Sequence, residues 1–283
     1  MDETFPGGLR DRVKSFQDFT FASFPTFLGA FREPVIGKIL LLLICVFQLW
    51  GTAAFPQDRV STTNQHAWCS YFGDHPVSKR WEIHLEGQWR RHDLGLKWQQ
   101  LLLRPGVNFE LNPNVVLTAG YGFVDTFRYG DYPTAYRFPE HRLFEQVLLK
   151  HKIGKLDLQH RYRLEQRFLG VRSDPAIDSI DSSRYENRFR HLTRVNIPLT
   201  ADKKVYIATF DEFFINFGKN VAANVFDQNR AYVALGFPVA KGTRMEIGYM
   251  LQIIQQRNGR IFEYNHTLQV NLFSNVPFFS FRK

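Results

Sequence analysis

Leu156–Phe168 reads Leu-Asp-Leu-Gln-His-Arg-Tyr-Arg-Leu-Glu-Gln-Arg-Phe. Leu156, Leu158, Tyr162, Leu164 and Phe168 fall on even positions, while Asp157, Gln159, Arg161, Arg163, Glu165 and Arg167 fall on odd ones. Successive side chains of an extended strand point to opposite faces, so this period of two makes one face greasy and the other ionic. A helix would scatter the same residues around its circumference. A soluble antiparallel sheet with one wet face also alternates in this way. Length separates the two cases: a strand tilted through a bilayer needs about 9–11 residues, against about 5–6 for a soluble strand. This stretch is long.

The pattern repeats on both sides of it. Trp81, Ile83, Leu85 and Trp89 share a face opposite Glu82, His84, Glu86, Gln88 and Arg90. In Leu101–Leu111, apolar Leu101, Leu103, Val107, Phe109 and Leu111 oppose Arg104, Asn108 and Glu110, and Val115–Phe123 alternates as well. Glu140–Lys150 is less regular, with Arg142, Gln146 and Lys150 on its polar side. Arg188–Ile197 carries Arg188, Arg190, Arg194 and Asn196 on one side. Gln228–Phe237, Arg244–Gln252 and Tyr264–Leu272 alternate too, whereas Val205–Asn216 is partly apolar on both faces and Gln65–Phe72 is short.

The connections differ in length. Asn112-Pro113-Asn114, Ile153-Gly154-Lys155, Thr200-Ala201-Asp202 and Lys241-Gly242 carry turn chemistry. Longer polar stretches intervene at Asp125–Pro139, Gly170–Arg184 and Gly218–Asn224. Short turns at one end and long loops at the other mark an outer-membrane barrel. The expected fold is therefore all-β: a single antiparallel transmembrane β-barrel of about 10–12 strands over residues 55–283. Even strand numbers are the rule for single-chain bacterial barrels. Gln65–Phe72 is then a partial addition to ten strands, or a further strand lies in Pro277–Arg282. Trp81, Trp89, Trp98, Phe123, Tyr162, Phe168 and Tyr249 suit interfacial aromatic girdles.

Residues 1–54 read as a non-mature segment. Lys38, the apolar run Ile39–Trp50 and Gly51-Thr52-Ala53-Ala54 describe a secretory signal peptide over 35–54. The residues before it are too many for an ordinary n-region, and no methionine follows Met1 before Met245. Translation is accordingly expected to begin near Val35, at a non-standard codon. The 283 residues carry a net charge of +9, and residues 1–54 hold equal numbers of basic and acidic side chains. The charge is spread without a polybasic run, so no nucleic-acid partner is expected. Of the two cysteines, Cys69 alone lies past the signal segment, which excludes an intramolecular disulfide there.

The motifs Glu140-x-Arg142-x-x-x-Gln146 and Arg161-Tyr162-Arg163-Leu164-Glu165-Gln166-Arg167-Phe168 resemble the bacterial family catalogued as domain of unknown function 2490. Asp211-Glu212-Phe213-Phe214-x-Asn216, Phe226-Asp227-Gln228-Asn229-Arg230 and the paired Gly120-Tyr121 and Gly248-Tyr249 fit it too, over roughly 64–273. The resemblance implies an exported outer-membrane-type barrel and supplies no substrate.

The polar faces supply the candidate site. An arginine on a lipid-facing surface costs about 2–4 kcal/mol at the bilayer midplane, so the basic faces must turn inward. The expected lumen network is Glu82, His84, Glu86, Arg104, Arg142, Arg161, Arg163, Glu165, Arg167, Arg188, Arg190, Arg194, Glu212, Arg230 and Glu246. Six closely spaced cations (Arg161, Arg163, Arg167, Arg188, Arg190, Arg194) need carboxylates from elsewhere. Counting strands from Trp81–Arg90 in a ten-stranded barrel sets Glu82 and Glu86 across the interior from Arg188, Arg190 and Arg194. The outcome is either a narrow anion-attracting pore or a filled, salt-bridged core.

His84 is the best catalytic candidate, but no serine shares its face, so a non-enzymatic structural or binding barrel is expected ahead of a hydrolase acting on envelope lipid or glycan. His141, His151, His160, His191 and His266 suit interface or loop positions. Glu82-x-His84-x-Glu86 shares one face without a fourth ligand, so neither metal nor cofactor is expected. The expected partners are outer-membrane lipid and a small anionic solute or lipid, with the oligomeric state left open.

Overall fold

In the computed structural model, which describes residues 59–174 and 179–278, eleven strands close into one barrel. They are β1 (Val60–Pro76), β2 (Trp81–His92), β3 (Lys97–Asn112), β4 (Val115–Thr126), β5 (Phe138–Ile153), β6 (Leu156–Val171), β7 (Ser182–Pro198), β8 (Tyr206–Phe217), β9 (Phe226–Ala240), β10 (Thr243–Gln255) and β11 (Ile261–Ser274). A 3-10 turn at Asp93–Gly95 joins β2 to β3. The strands are as long as the period-two reading requires, and each expected segment falls within one of them, save that Val205 precedes β8. The signal segment over 35–54 and the start near Val35 lie outside the described residues.

Two expectations are corrected. The strand number is odd, and closure is not antiparallel throughout: β1 pairs in parallel with β11, from Val60↔Ile261 to Gly73↔Ser274. Gln65–Phe72 is thus the middle of a full strand. Its first half escapes the alternation test because both faces are polar there: Thr62, Asn64 and His66 are buried, while Ser61, Thr63 and Gln65 are exposed. Pro277 and Phe278 form no strand, and 279–283 lie outside the described residues.

The connections segregate by end. At the end we call lower lie 77–80, 113–114, 154–155, 199–205 and 241–242; at the upper end lie 93–96, 127–137, 172–174 with 179–181, 218–225 and 256–260. Two of the tight lower turns use glycine in the left-handed region, Gly154 at φ 59° and Gly242 at φ 72°, where a side chain would be strained.

Alternation decides which side chains form the core. On β6, Arg163, Glu165 and Arg167 are buried, whereas Tyr162, Leu164 and Phe168 are exposed. The exposed outer residues form two aromatic groups. Near the upper end are Trp89 and Trp98 with ring centres 6.0 Å apart, and Phe168 and Tyr185 at 5.1 Å. Near the lower end Trp81 and Phe109 lie at 4.8 Å. Tyr162 and Tyr249 are also outward, at mid-strand. Val205–Asn216, ambiguous in the sequence, turns Ala208, Phe214 and Asn216 inward.

Inward glycines make room for rings. A side chain at Gly120 would meet the Phe144 ring at 2.7 Å, and one at Gly236 the Tyr206 ring at 2.3 Å. The Gly-Tyr pairs are one device used twice. Tyr121 bonds His141 of the adjacent strand, and the Tyr249 hydroxyl lies 2.5 Å from Nδ1 of His266.

Candidate functional site

The interior of an eleven-stranded barrel is wider than that of eight strands, which side chains only just fill. Here long ionic side chains cross it. Glu165 of β6 is at the centre, with no exposed surface. Its Oε2 accepts from Arg188 Nε (2.8 Å) and Nη2 (2.5 Å), its Oε1 accepts from Arg190 Nη1 (2.7 Å), and Arg104 Nη2 of β3 stands 3.6 Å away. Arg104 in turn pairs with Glu86 of β2. On the other side, Arg188 donates to Asp227 of β9 (2.8 Å), and Glu212 of β8 accepts from Arg190 (2.7 Å) and Arg161 (2.6 Å), with Arg230 at 3.8 Å. Ion pairs therefore run without a break from β2 to β9 through the middle of the barrel.

Two further clusters flank this bridge. Glu140 takes bidentate bonds from Arg142 (2.6 and 2.9 Å) and from Arg167 (2.5 and 3.1 Å). Arg194 pairs with Glu246, which also accepts from the Tyr206 hydroxyl at 2.8 Å and the Tyr232 hydroxyl at 3.3 Å. Arg163 donates to Gln146 Oε1 at 2.9 and 2.6 Å, and lies over the Phe144 ring at 4.8 Å. Pairing and hydrogen bonding are what make such buried charges tolerable.

Of the expected network, all but the half-buried Glu82, Arg161 and Arg194 are buried, and most are joined by ion pairs. The expected pairing across the barrel is corrected. Glu86 meets Arg104 on the neighbouring strand and not the β7 arginines, and Glu82 accepts from Asn108 Nδ2 at 3.1 Å. The reason is side-chain reach: a neighbour on the same inner face is closer than a residue diametrically opposite. Arg90, Glu140, Glu186 and Asp227 are buried as well and stand outside the expected network. The signal for Glu140 was available, since Glu140-x-Arg142 places both on one face.

His84 Nδ1 lies 2.7 Å from Asp74 Oδ1, and Nε2 lies 3.9 Å from Glu86. An imidazole held by a carboxylate resembles the orienting half of a hydrolytic triad, but among the described residues its Nε2 has no hydrogen-bond partner. Among the described residues no group of three His, Cys, Asp or Glu side chains gathers as a metal site. His141, His160, His191 and His266 lie on the outer wall, with His160 and His191 stacked at 6.0 Å.

The bridge divides the interior. An upper cavity of about 300 Å³ and a lower one of about 250 Å³ share Glu86, Gln88, Arg190 and Arg230 as their common partition. The 127–137 loop folds over the upper mouth. Asp131 accepts from Thr62 (2.6 Å), the Tyr132 carbonyl accepts from Gln256 (2.8 Å), and the Tyr129 hydroxyl donates to Glu263 (3.1 Å). Burial, together with the Glu263 carboxylate, pushes the Tyr129 phenol well above its ordinary range, so it remains a donor.

A family model described as "Protein of unknown function (DUF2490)" matches residues 65–263. An uncharacterized protein of Methylorubrum extorquens is 28% identical over 183 residues, covering 62% of this chain and 72% of the relative. No solved structure matches.

Proposed function

Taking as premise that the chain belongs to the DUF2490 family and closes into an eleven-stranded barrel, we propose that it is an outer-membrane protein whose barrel is plugged by its own ion pairs. It acts as a non-enzymatic structural or binding barrel. The observation that carries this reading is the unbroken bridge from Glu86 through Arg104, Glu165, Arg190 and Glu212, with one cavity on either side of it. A pore needs a continuous polar path, and here the charges that would line it are spent on one another.

The outer wall supports the membrane setting. Leu103, Val107, Leu143, Val233, Ile247 and Leu268 are all large, apolar and exposed, and tryptophans stand near both ends of the wall, as a lipid belt with aromatic girdles requires. Two carboxylates do face outward at mid-strand. Glu145 accepts from Gln166 at 3.1 Å, and Asp211 accepts from Asn229 at 3.0 Å. These amide partners offset part of the desolvation, and acidic residues cost less on such a face than basic ones.

The test joins fractionation with conductance. The protein should sediment with outer membranes, migrate differently on gels with and without heating, and give no steady conductance in planar bilayers. Stable anion currents would replace the plug by a pore. Recovery as a detergent-free soluble monomer would remove the membrane setting. Turnover of labelled phospholipid or lipopolysaccharide, lost in His84→Gln, would instead favour the hydrolase.

A further inference from the structure

The ion-pair bridge leaves two guanidinium groups over. Arg90 is 6% exposed and donates only to neutral amides, at 2.8 and 2.5 Å to Gln88 Oε1 and at 2.5 Å to Gln100 Oε1. It has no ion pair among the described residues. Arg230 is 9% exposed and makes no hydrogen bond among them; its buried Nε has no partner. The carboxylate within ion-pair range of it, Glu212 at 3.8 Å, is already bonded to Arg161 and Arg190. Both guanidinia lie against the same indole, Arg90 at 4.1 Å and Arg230 at 5.4 Å from Trp68. Both also line the upper cavity under the 127–137 loop.

A buried cation short of counter-charge is expensive, and here two share one cavity wall. The other arginines lining the upper cavity, Arg104, Arg142, Arg167, Arg188, Arg190 and Arg257, each donate to a carboxylate, so within that cavity the deficit is local to this pair. We propose that the upper cavity is a binding site for a phosphate-type dianion held between Arg90 and Arg230. The charge selects the class: Arg90 has no ion pair and Arg230 only a shared one at 3.8 Å, so the pair calls for a ligand of about −1.5 to −2, which a phosphate monoester carries near neutral pH. The planar guanidinium fork suits the oxygens of that group, and Arg230 has its donors free to give. Amides of Gln88, Gln228 and Gln252 around the cavity suit a hydrophilic remainder on the ligand.

This inference deepens the plugged-barrel reading and rests on it for a cavity bounded by the bridge, but the two fail separately: conductance tests the plug and binding tests the site. The experiment is calorimetric titration of the full-length mature barrel in micelles at constant ionic strength. The probes are inorganic phosphate, glycerol 3-phosphate, a short-chain lysophosphatidate and acetate. We expect saturable binding of at least one phosphate probe and none of acetate. The lysophosphatidate arm separates a lipid headgroup from a soluble phosphate as the source. Arg90→Gln and Arg230→Gln should each weaken binding about tenfold or more, as loss of a bond to a charged partner does. Arg230→Lys, which keeps the charge and loses the fork, should fall between. Absence of phosphate binding to the wild type overturns the proposal whatever the variants do. So does equal binding of acetate, or binding that survives both glutamine substitutions.

Discussion

Glu165 shows how much one side chain carries here. It accepts three hydrogen bonds from Arg188 and Arg190 and stands 3.6 Å from Arg104. Breaking one partner out of a buried pair costs about 3–5 kcal/mol, because the remaining charge is stranded. Glu165→Gln should therefore destabilise the barrel by about that amount, read as a lowered urea midpoint in micelles with the slope unchanged. The corrected pairing makes a sharper claim about Glu86. Glu86→Gln and Arg104→Gln should be non-additive by about 0.5–3 kcal/mol in a double-mutant cycle. The Glu86→Gln and Arg190→Gln pair is linked only through Arg104 and Glu165, and should couple more weakly. Equal coupling in the two cycles would mean that the network does not follow these contacts. At the other extreme of size, Gly120→Val should cost about 1–3 kcal/mol by overpacking, since its side chain would meet the Phe144 ring at 2.7 Å.

At the scale of the element, the seam between β1 and β11 is the least expected feature of the barrel. A parallel pair has slanted bonds and is slightly weaker per residue than an antiparallel one, so side chains help to hold it. Asn64 Nδ2 of β1 donates to Asn265 Oδ1 of β11 at 2.8 Å. The register supplies a direct test, because Cys69 is an exposed free cysteine directly opposite Val270. Val270→Cys should cross-link to Cys69 under mild oxidation, seen as a mobility change that reductant reverses. A free pair of thiols in the folded barrel would show that β1 does not dock on β11 in this register. The other strands were readable because each carries one charged and one apolar face. β1 was readable only in part, because its upper half is polar on both.

For the molecule as a whole, the odd strand number has a consequence that an even one would not. β1 starts at the upper, long-loop end and β11 finishes at the lower, short-turn end. On the outer-membrane reading these two points lie on opposite sides of the bilayer. An epitope placed just before Arg59 should therefore share its accessibility in intact cells with one in the 218–225 loop. An epitope in the 241–242 turn should behave oppositely. Matching accessibility of the Arg59 and 241–242 epitopes would restore an even barrel with both strand ends on one side.

Alternation along each strand needs no partner to be visible, which is why the amino-acid order alone determines that the chain is all-β, which faces turn inward, and that Arg161, Arg163, Glu165 and Arg167 share one of them. Turn chemistry is equally local, so most of the short and long connections were legible as well, although 199–205 at the lower end is longer than 93–96 at the upper. Closure is not local. Whether β1 adds to an edge or seals the barrel depends on how eleven twisted strands meet, and only the tertiary structure decides that. The same holds for the interior: period two says that Glu86 and Arg190 face inward but not which cation each anion reaches. That choice rests on stagger between strands and on side-chain length, which set Glu86 against Arg104, gave Glu165 to β7, and left Arg90 and Arg230 beside Trp68 without a bonded carboxylate.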